Sequence, residues 1–126
     1  MKLSRVHHVA IICSDYQKAR HFYVDLLGFE VIREVFRESR NDYIITLALD
    51  DLEIELFVMK DHPKRPSYPE AYGLRHLAFH VEDMEAAVQQ LNALGIATEP
   101  IRIDEYTGKR MTFFSDPDGL PLELHE

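Results

Sequence analysis

The sequence predicts an α+β chain made of two copies of one βαβββ module, and three observations carry that prediction. His8 lies 47 residues before Glu55 and His76 lies 47 residues before Glu123, so one unit recurs at an offset of 68 residues. The match is wider than these four residues, because His8-Val-Ala-Ile-Ile-Cys-Ser-Asp15 aligns with His76-Leu-Ala-Phe-His-Val-Glu-Asp83 at the same offset. In both copies a strand-like run is followed by a helical apolar stripe and then by a glycine.

The first copy opens with the β-branched, apolar run Val6 to Cys13, which predicts a strand. Ser14-Asp-Tyr-Gln17 has the S-x-x-Q form of a capping box and predicts the start of a helix there. Ala19, Phe22, Tyr23, Leu26 and Leu27 recur at helical spacing, and Gly28 stands where a left-handed cap ends a helix. The second copy keeps this order: Leu74 to Val81 as strand, Asp83 as N-cap, Met84, Ala87, Val88, Leu91 and Leu94 as stripe, Gly95 as cap. Three further strands follow each glycine, about 29–36, 43–49 and 52–59 in one copy and 96–103, 110–115 and 120–125 in the other. Asp50-Asp51 and Asp116-Pro-Asp-Gly119 are turn residues between the last two strands. Module 1 therefore covers about 4–60, module 2 about 74–126, and the intervening 61–73, with Pro63, Pro66 and Pro69, reads as a linker within a single domain. Up to the glycine the copies differ by one residue, since His8 to Gly28 spans 20 positions and His76 to Gly95 spans 19, and the difference is recovered before the glutamate.

Composition narrows the function classes. A hydrophobic fraction of 46% and a charged fraction of 29% suit a globular chain of 126 residues, which can build a conventional core without disulfide staples. No apolar run approaches the ~20 residues needed to span a bilayer. The formal net charge of −8 repels polyanions and argues against nucleic acid as a partner. The start Met-Lys-Leu-Ser-Arg lacks the pattern of an export signal, and the single cysteine, Cys13, makes no internal disulfide, so a cytoplasmic protein with Cys13 packed as a small hydrophobe is expected.

Strand alternation sorts the candidate ligands by face. Val9, Ile11 and Cys13, with Leu52, Ile54, Leu56 and Val58, form an apolar face that predicts helix packing and leaves His8 and Glu55 on the opposite side. Leu77, Phe79 and Val81, with Leu122 and Leu124, do the same for His76 and Glu123. A single strand histidine packs or faces solvent far more often than it binds a metal, and a single glutamate is usually solvated. Two His–Glu pairs at one spacing and in one phase are a different matter. Two imidazoles and two carboxylates suit one divalent ion and leave open positions in an octahedral shell for substrate oxygens.

The segments His8-Val-Ala-Ile-Ile, Phe22-Tyr-Val-Asp-Leu-Leu-Gly-Phe29, Ile54-Glu-Leu-Phe57, Arg75-His-Leu-Ala-Phe79 and Asp116-Pro-Asp-Gly-Leu-Pro-Leu-Glu-Leu124 resemble the vicinal oxygen chelate superfamily over nearly the whole chain. In layout the chain is most similar to glyoxalase I, the lactoylglutathione lyase. The resemblance implies the glyoxalase/bleomycin-resistance/dioxygenase fold, with both modules forming a half-open mixed-sheet barrel around a metal held by His8, Glu55, His76 and Glu123. It implies a lyase or isomerase acting on a small substrate with vicinal oxygens, such as a methylglyoxal–thiol hemithioacetal. Glu123 is the implied base, and Glu55 can share that role in a pseudo-symmetric site. Nickel, cobalt or zinc is the implied metal, with manganese and iron open, and a homodimer in which each subunit gives one His and one Glu to a site is the implied assembly.

The chain departs from glyoxalase I at Arg102-Ile-Asp-Glu-Tyr-Thr-Gly-Lys-Arg-Met111, where a glycine-rich segment is typical. Lys109 and Arg110, and Arg37 and Arg40 in the first module, are therefore candidates for a carboxylate or phosphate on another substrate. Glu53, His80 and His125 share the ligand face by phase and are candidates for orienting ligands or touching substrate. His7 faces the other way, and His21 and His62 read as surface residues. The competing functions are thiol transfer as in fosfomycin resistance, acyl-thioester epimerisation, and a metal-free drug-binding module similar to bleomycin-resistance proteins. Extradiol dioxygenases, with three protein ligands, fit less well.

Overall fold

The computed structural model describes residues 1–126 and divides into two compact units, Met1–Lys64 and Arg65–Glu126. The first contains β1 (His8–Cys13), α1 (Tyr16–Arg20), a π-helical segment (His21–Leu26), β2 (Glu30–Arg37), a single 3-10 turn (Glu38–Arg40), β3 (Asp42–Leu49) and β4 (Leu52–Val58). The second contains β5 (Leu77–His80), α2 (Met84–Ala93), β6 (Arg102–Ile103), β7 (Arg110–Ser115) and β8 (Pro121–His125). Each forms a four-stranded mixed sheet, ordered β1-β4-β3-β2 and β5-β8-β7-β6. The first strand of each sheet pairs in parallel with the last, and the remaining pairs are antiparallel. The predicted α+β class and the βαβββ order both hold.

Burial follows the predicted phase. In the first unit Ile11, Cys13, Ile45, Leu47, Ile54, Leu56 and Val58 of the sheet are buried together with Ala19, Phe22 and Tyr23 of the helical segment. Cys13 is 1% exposed, a small buried hydrophobe as expected. In the second unit the buried set is Met84, Leu91, Ile96, Phe114, Leu120, Leu122 and Leu124. Each large aliphatic side chain so removed from water contributes roughly 1.5–3 kcal/mol. Leu94, predicted as part of the α2 stripe, is 45% exposed. It is the C-cap residue, where the chain leaves the helix and the 3.6-residue period no longer applies.

Several boundaries differ from expectation for identifiable reasons. The N-cap of α1 is Asp15, not Ser14: its Oδ1 accepts the Lys18 N–H at 2.8 Å, and a carboxylate suits the positive end of a helix. The N-cap of α2 is Asp83 as predicted, accepting the Ala86 N–H at 3.0 Å. β5 starts at Leu77 and not at Leu74, because its partner β8 starts at Pro121 and the first pair is Leu77 with Leu122; proline has no N–H to extend the ladder. The strand predicted over 96–103 shrinks to Arg102–Ile103, with Pro100 interrupting the hydrogen-bonding row for the same reason.

The one-residue difference between the copies is resolved inside the first helix. α2 ends in a Schellman arrangement: Ile96 N–H donates to Leu91 O at 2.9 Å and Gly95 N–H to Asn92 O at 3.0 Å, with Gly95 at φ 79. In the first copy Leu27 N–H donates to Phe22 O at 3.0 Å, and Phe29 N–H reaches Tyr23 O at 3.1 Å, each loop wider than in an α-helix. The extra residue is taken up as a π turn. Gly28, at φ 76, still ends the segment, and the phase of the following strands is undisturbed. No helix is long and apolar enough to cross a membrane.

Candidate functional site

In the first unit Ala10 lies opposite Glu55 in the parallel β1–β4 ladder, which sets His8 diagonally next to Glu55 on the same face. His8 Nε2 and Glu55 Oε2 are 3.7 Å apart, with side chains 48% and 21% exposed. His8 Nδ1 meets His7 Nδ1 at 3.0 Å, and the two rings stand edge to face. The sequence places His7 on the wrong face to be a ligand, and it is not aimed at Glu55. Its role is different: it occupies the far nitrogen of His8 and leaves Nε2 directed at the carboxylate. Nothing in strand periodicity signals this, because the contact is between ring edges of consecutive residues.

The second unit repeats the register, with Ala78 opposite Glu123 and His76 one residue before β5. His76 Nε2 and Glu123 Oε2 are 2.8 Å apart, with side chains 29% and 8% exposed. Phe113 lies opposite Glu123 on β7 and meets the His76 ring edge to face at a centroid distance of 5.2 Å. This pair is thus drier and tighter than the first, and low local polarity strengthens its electrostatics.

The donor set suits a divalent metal. Imidazole nitrogen and carboxylate oxygen bound side by side at about 2.0–2.2 Å from one ion stand roughly 3 Å apart. The His76–Glu123 separation of 2.8 Å matches that spacing, and the His8–Glu55 separation of 3.7 Å is somewhat wider. No group of three or more His, Cys, Asp or Glu side chains is assembled as a metal-binding cluster. Each unit therefore offers a two-donor half-site.

The other candidates are placed as follows. Glu53 lies opposite His8 in the ladder and shares its face. His80 Nδ1 contacts His125 O at 3.2 Å, while His125 Nε2 lies 3.7 Å from Asp104 Oδ2, so both are held by local partners. The Asp104 carboxyl is itself kept below the usual carboxylate range, chiefly by the Tyr106 N–H that it accepts. His21 pairs with Asp25 at 3.1 Å and His62 with Lys60 O at 2.8 Å, both at the surface.

Two of the proposed anion-binding arginines are already occupied. Arg37 donates from Nε and Nη2 to the two carboxylate oxygens of Asp42 at 2.7 and 2.6 Å, and its guanidinium holds the Asp42 carboxyl below the ordinary range. Arg110 Nε donates to Glu126 Oε2 at 2.8 Å and Nη1 also pairs with Glu85. Glu126 is shifted down, mainly by that hydrogen bond. These fork-to-carboxylate pairs use the donors a substrate would need.

Residues 5–124 match the family model described as the Glyoxalase/Bleomycin resistance protein/Dioxygenase superfamily. The chain belongs to this superfamily. Within the superfamily it is 58% identical over 127 residues to the Bacillus subtilis protein YwkD, described as uncharacterized, covering 100% of this chain and 99% of that protein. A crystal structure of a glyoxalase family protein from Enterococcus faecalis superposes with a TM-score of 0.95 at 57% identity, covering 100% of both chains. Metallothiol transferase FosB of Staphylococcus saprophyticus is 30% identical over 125 residues, 98% of this chain and 77% of its own length. The glyoxalase/bleomycin-resistance/dioxygenase fold implied by the sequence is therefore the fold of this chain.

Proposed function

We propose that the half-sites His8–Glu55 and His76–Glu123 together bind one divalent metal, and that the protein is a glyoxalase-like lyase or isomerase acting on a small substrate with vicinal oxygens. The observation that supports this most is the repeated register: in both units the His precedes by two residues the position opposite the Glu, on the face away from the buried core. Nickel, cobalt or zinc fits an N₂O₂ donor set, and manganese or iron is also compatible. Because each unit offers two donors, the reading needs two units per ion, supplied by one chain or by two; on the resemblance to glyoxalase I alone we infer a homodimer, and a cytoplasmic protein.

A metal held by these four residues would supply Lewis acidity, favouring negative charge on substrate oxygens. The chain's own residues supply positioning and proton transfer. Glu123, with its side chain 8% exposed, is the proposed base: a carboxylate oxygen takes the proton from one substrate carbon and returns it to the next. Limited access to solvent keeps that proton from exchanging freely. Glu55, at 21%, faces the wetter side and is the second carboxylate able to carry it. His76, its ring held by the edge of Phe113, presents Nε2 beside Glu123 as the other donor of this half-site.

Metal analysis of protein purified without chelator, followed by hemithioacetal isomerisation under nickel, cobalt, zinc, manganese and iron, tests the reading. Stoichiometric metal and turnover with at least one ion are expected, with turnover lost in Glu123→Gln. Absence of any bindable divalent ion would remove the centre of the proposal. Full turnover by Glu123→Gln would move the base role to Glu55. The similarity to FosB favours one second reading, thiol transfer to an epoxide, which the same preparation tests with a thiol and fosfomycin in place of the hemithioacetal.

A further inference from the structure

On the ligand face of each unit an arginine stands on the outer strand, beyond the glutamate. In the first unit the row runs Glu55 on β4, Thr46 on β3 and Arg33 on β2: Thr46 is opposite Glu55 and Arg33 is opposite Thr46. In the second, Phe113 is opposite Glu123 and the Arg102 guanidinium lies 5.6 Å from the Phe113 ring centroid. The middle of the first row is firmly packed, with Thr46 1% exposed, so the residues at its ends face each other across a fixed floor. Strands are about 4.8 Å apart, so the Arg33 and Glu55 backbones stand roughly 10 Å apart.

The arginines on this face differ in what they already hold. Arg37 is engaged by both oxygens of Asp42, and Arg102 shares its charge with Glu99 at 3.0 Å. Arg33 has no carboxylate partner. Its side chain makes one long hydrogen bond, from Nη2 to Thr46 Oγ1 at 3.4 Å, in a chain where 22 acidic residues outnumber 14 basic ones. A guanidinium left with most of its fork unused, in line with a proposed ligand, suits a planar oxyanion, which it can bind through two parallel hydrogen bonds.

We propose that Arg33 anchors a carboxylate or phosphonate-type oxyanion of the substrate, making the substrate a small acid. This rests on the function proposed above only in placing the reacting oxygens beside Glu55; anion binding by Arg33 is measurable with or without metal. The test is an NMR titration at fixed ionic strength with lactate, methylphosphonate and the neutral propane-1,2-diol. Wild type, Arg33→Ala, Arg33→Lys and the helix variant Lys18→Ala, at an exposed position of α1, are compared, each metal-free and after metal loading.

Arg33→Ala is expected to weaken anion binding on the order of tenfold or more, the usual scale for a charged hydrogen-bonding group. Arg33→Lys should retain part of the binding, Lys18→Ala all of it, and diol binding should not change. The lactate and methylphosphonate arms tell which oxyanion is preferred. Equal anion binding by wild type and Arg33→Ala in both forms overturns the proposal, as does an equal loss in Lys18→Ala, which would reduce the effect to net charge. Failure of wild type to bind metal would sink the metalloenzyme reading and leave the anion result standing on its own.

Discussion

His7→Ala is expected to weaken metal binding without removing a ligand. His7 Nδ1 lies 3.0 Å from His8 Nδ1, so one ring donates and the other accepts; with His8 as donor its Nε2 lone pair is free for a metal. A hydrogen bond between neutral groups contributes about 1 kcal/mol net, which is about fivefold in affinity. Groups that orient a metal-bound histidine commonly cost 10–100-fold when removed, but the His8 side chain is 48% exposed and water can replace part of the lost contact. The expected loss is therefore about fivefold, below that range. Competition titration of cobalt or zinc against a chromophoric chelator measures it, with His8→Ala as the variant that loses a ligand outright. His7→Gln, which keeps an acceptor, should recover part of the affinity. A dissociation constant for His7→Ala indistinguishable from wild type, alongside a large loss in His8→Ala, would refute the orienting role.

Gly28→Ala and Gly95→Ala should each lower stability by about 1–2 kcal/mol, the cost of a left-handed backbone for a residue with a Cβ. Nothing lies within 4 Å of an added Cβ at either position, so urea denaturation should show a purely conformational penalty, smaller for asparagine; unchanged midpoints for alanine would contradict it. The Arg37–Asp42 pair should give an acid limb to stability. Asp42 is depressed in the folded state by its hydrogen bond to Arg37, so its contribution is complete above the ordinary aspartate value of about 3.9 and is lost as pH falls through the lower folded value. Asp42→Asn should be less stable than wild type at pH about 6, and the difference should shrink towards pH about 3; a gap that is the same at both would rule the pair out as its source.

The phase of the four candidate ligands is legible in the sequence because strand periodicity is two and the repeat supplies two independent readings of it. His8 with Glu55, and His76 with Glu123, duly share faces and approach each other. The helix caps at Gly28 and Gly95 are legible because only a residue without a Cβ adopts that backbone freely. Cross-strand chemistry is less visible. The engagement of Arg37 by Asp42 and of Arg110 by Glu126 depends on the β2–β3 register and on where the C-terminus lies, so arginines that looked available for substrate are already paired. Arg33 carries no sequence signal for the converse reason: its place in line with Glu55 depends on a bulge between Val31 and Arg33, which shifts the pairing of β2 and is not encoded in any local pattern.

The π turn at His21–Leu26 bears on how two copies of one module can drift apart in length. An added residue in a strand would turn every following side chain over and carry Glu55 off its face, whereas one added near the end of a helix widens a single loop of hydrogen bonds and goes no further. The helix thus acts as an expansion joint between strands whose phase has no tolerance. Length changes compatible with retention of the His–Glu faces should accordingly collect at helix ends and in the 61–73 segment, and an engineered insertion at Leu26 should spare metal affinity where the same insertion at Ile54 abolishes it.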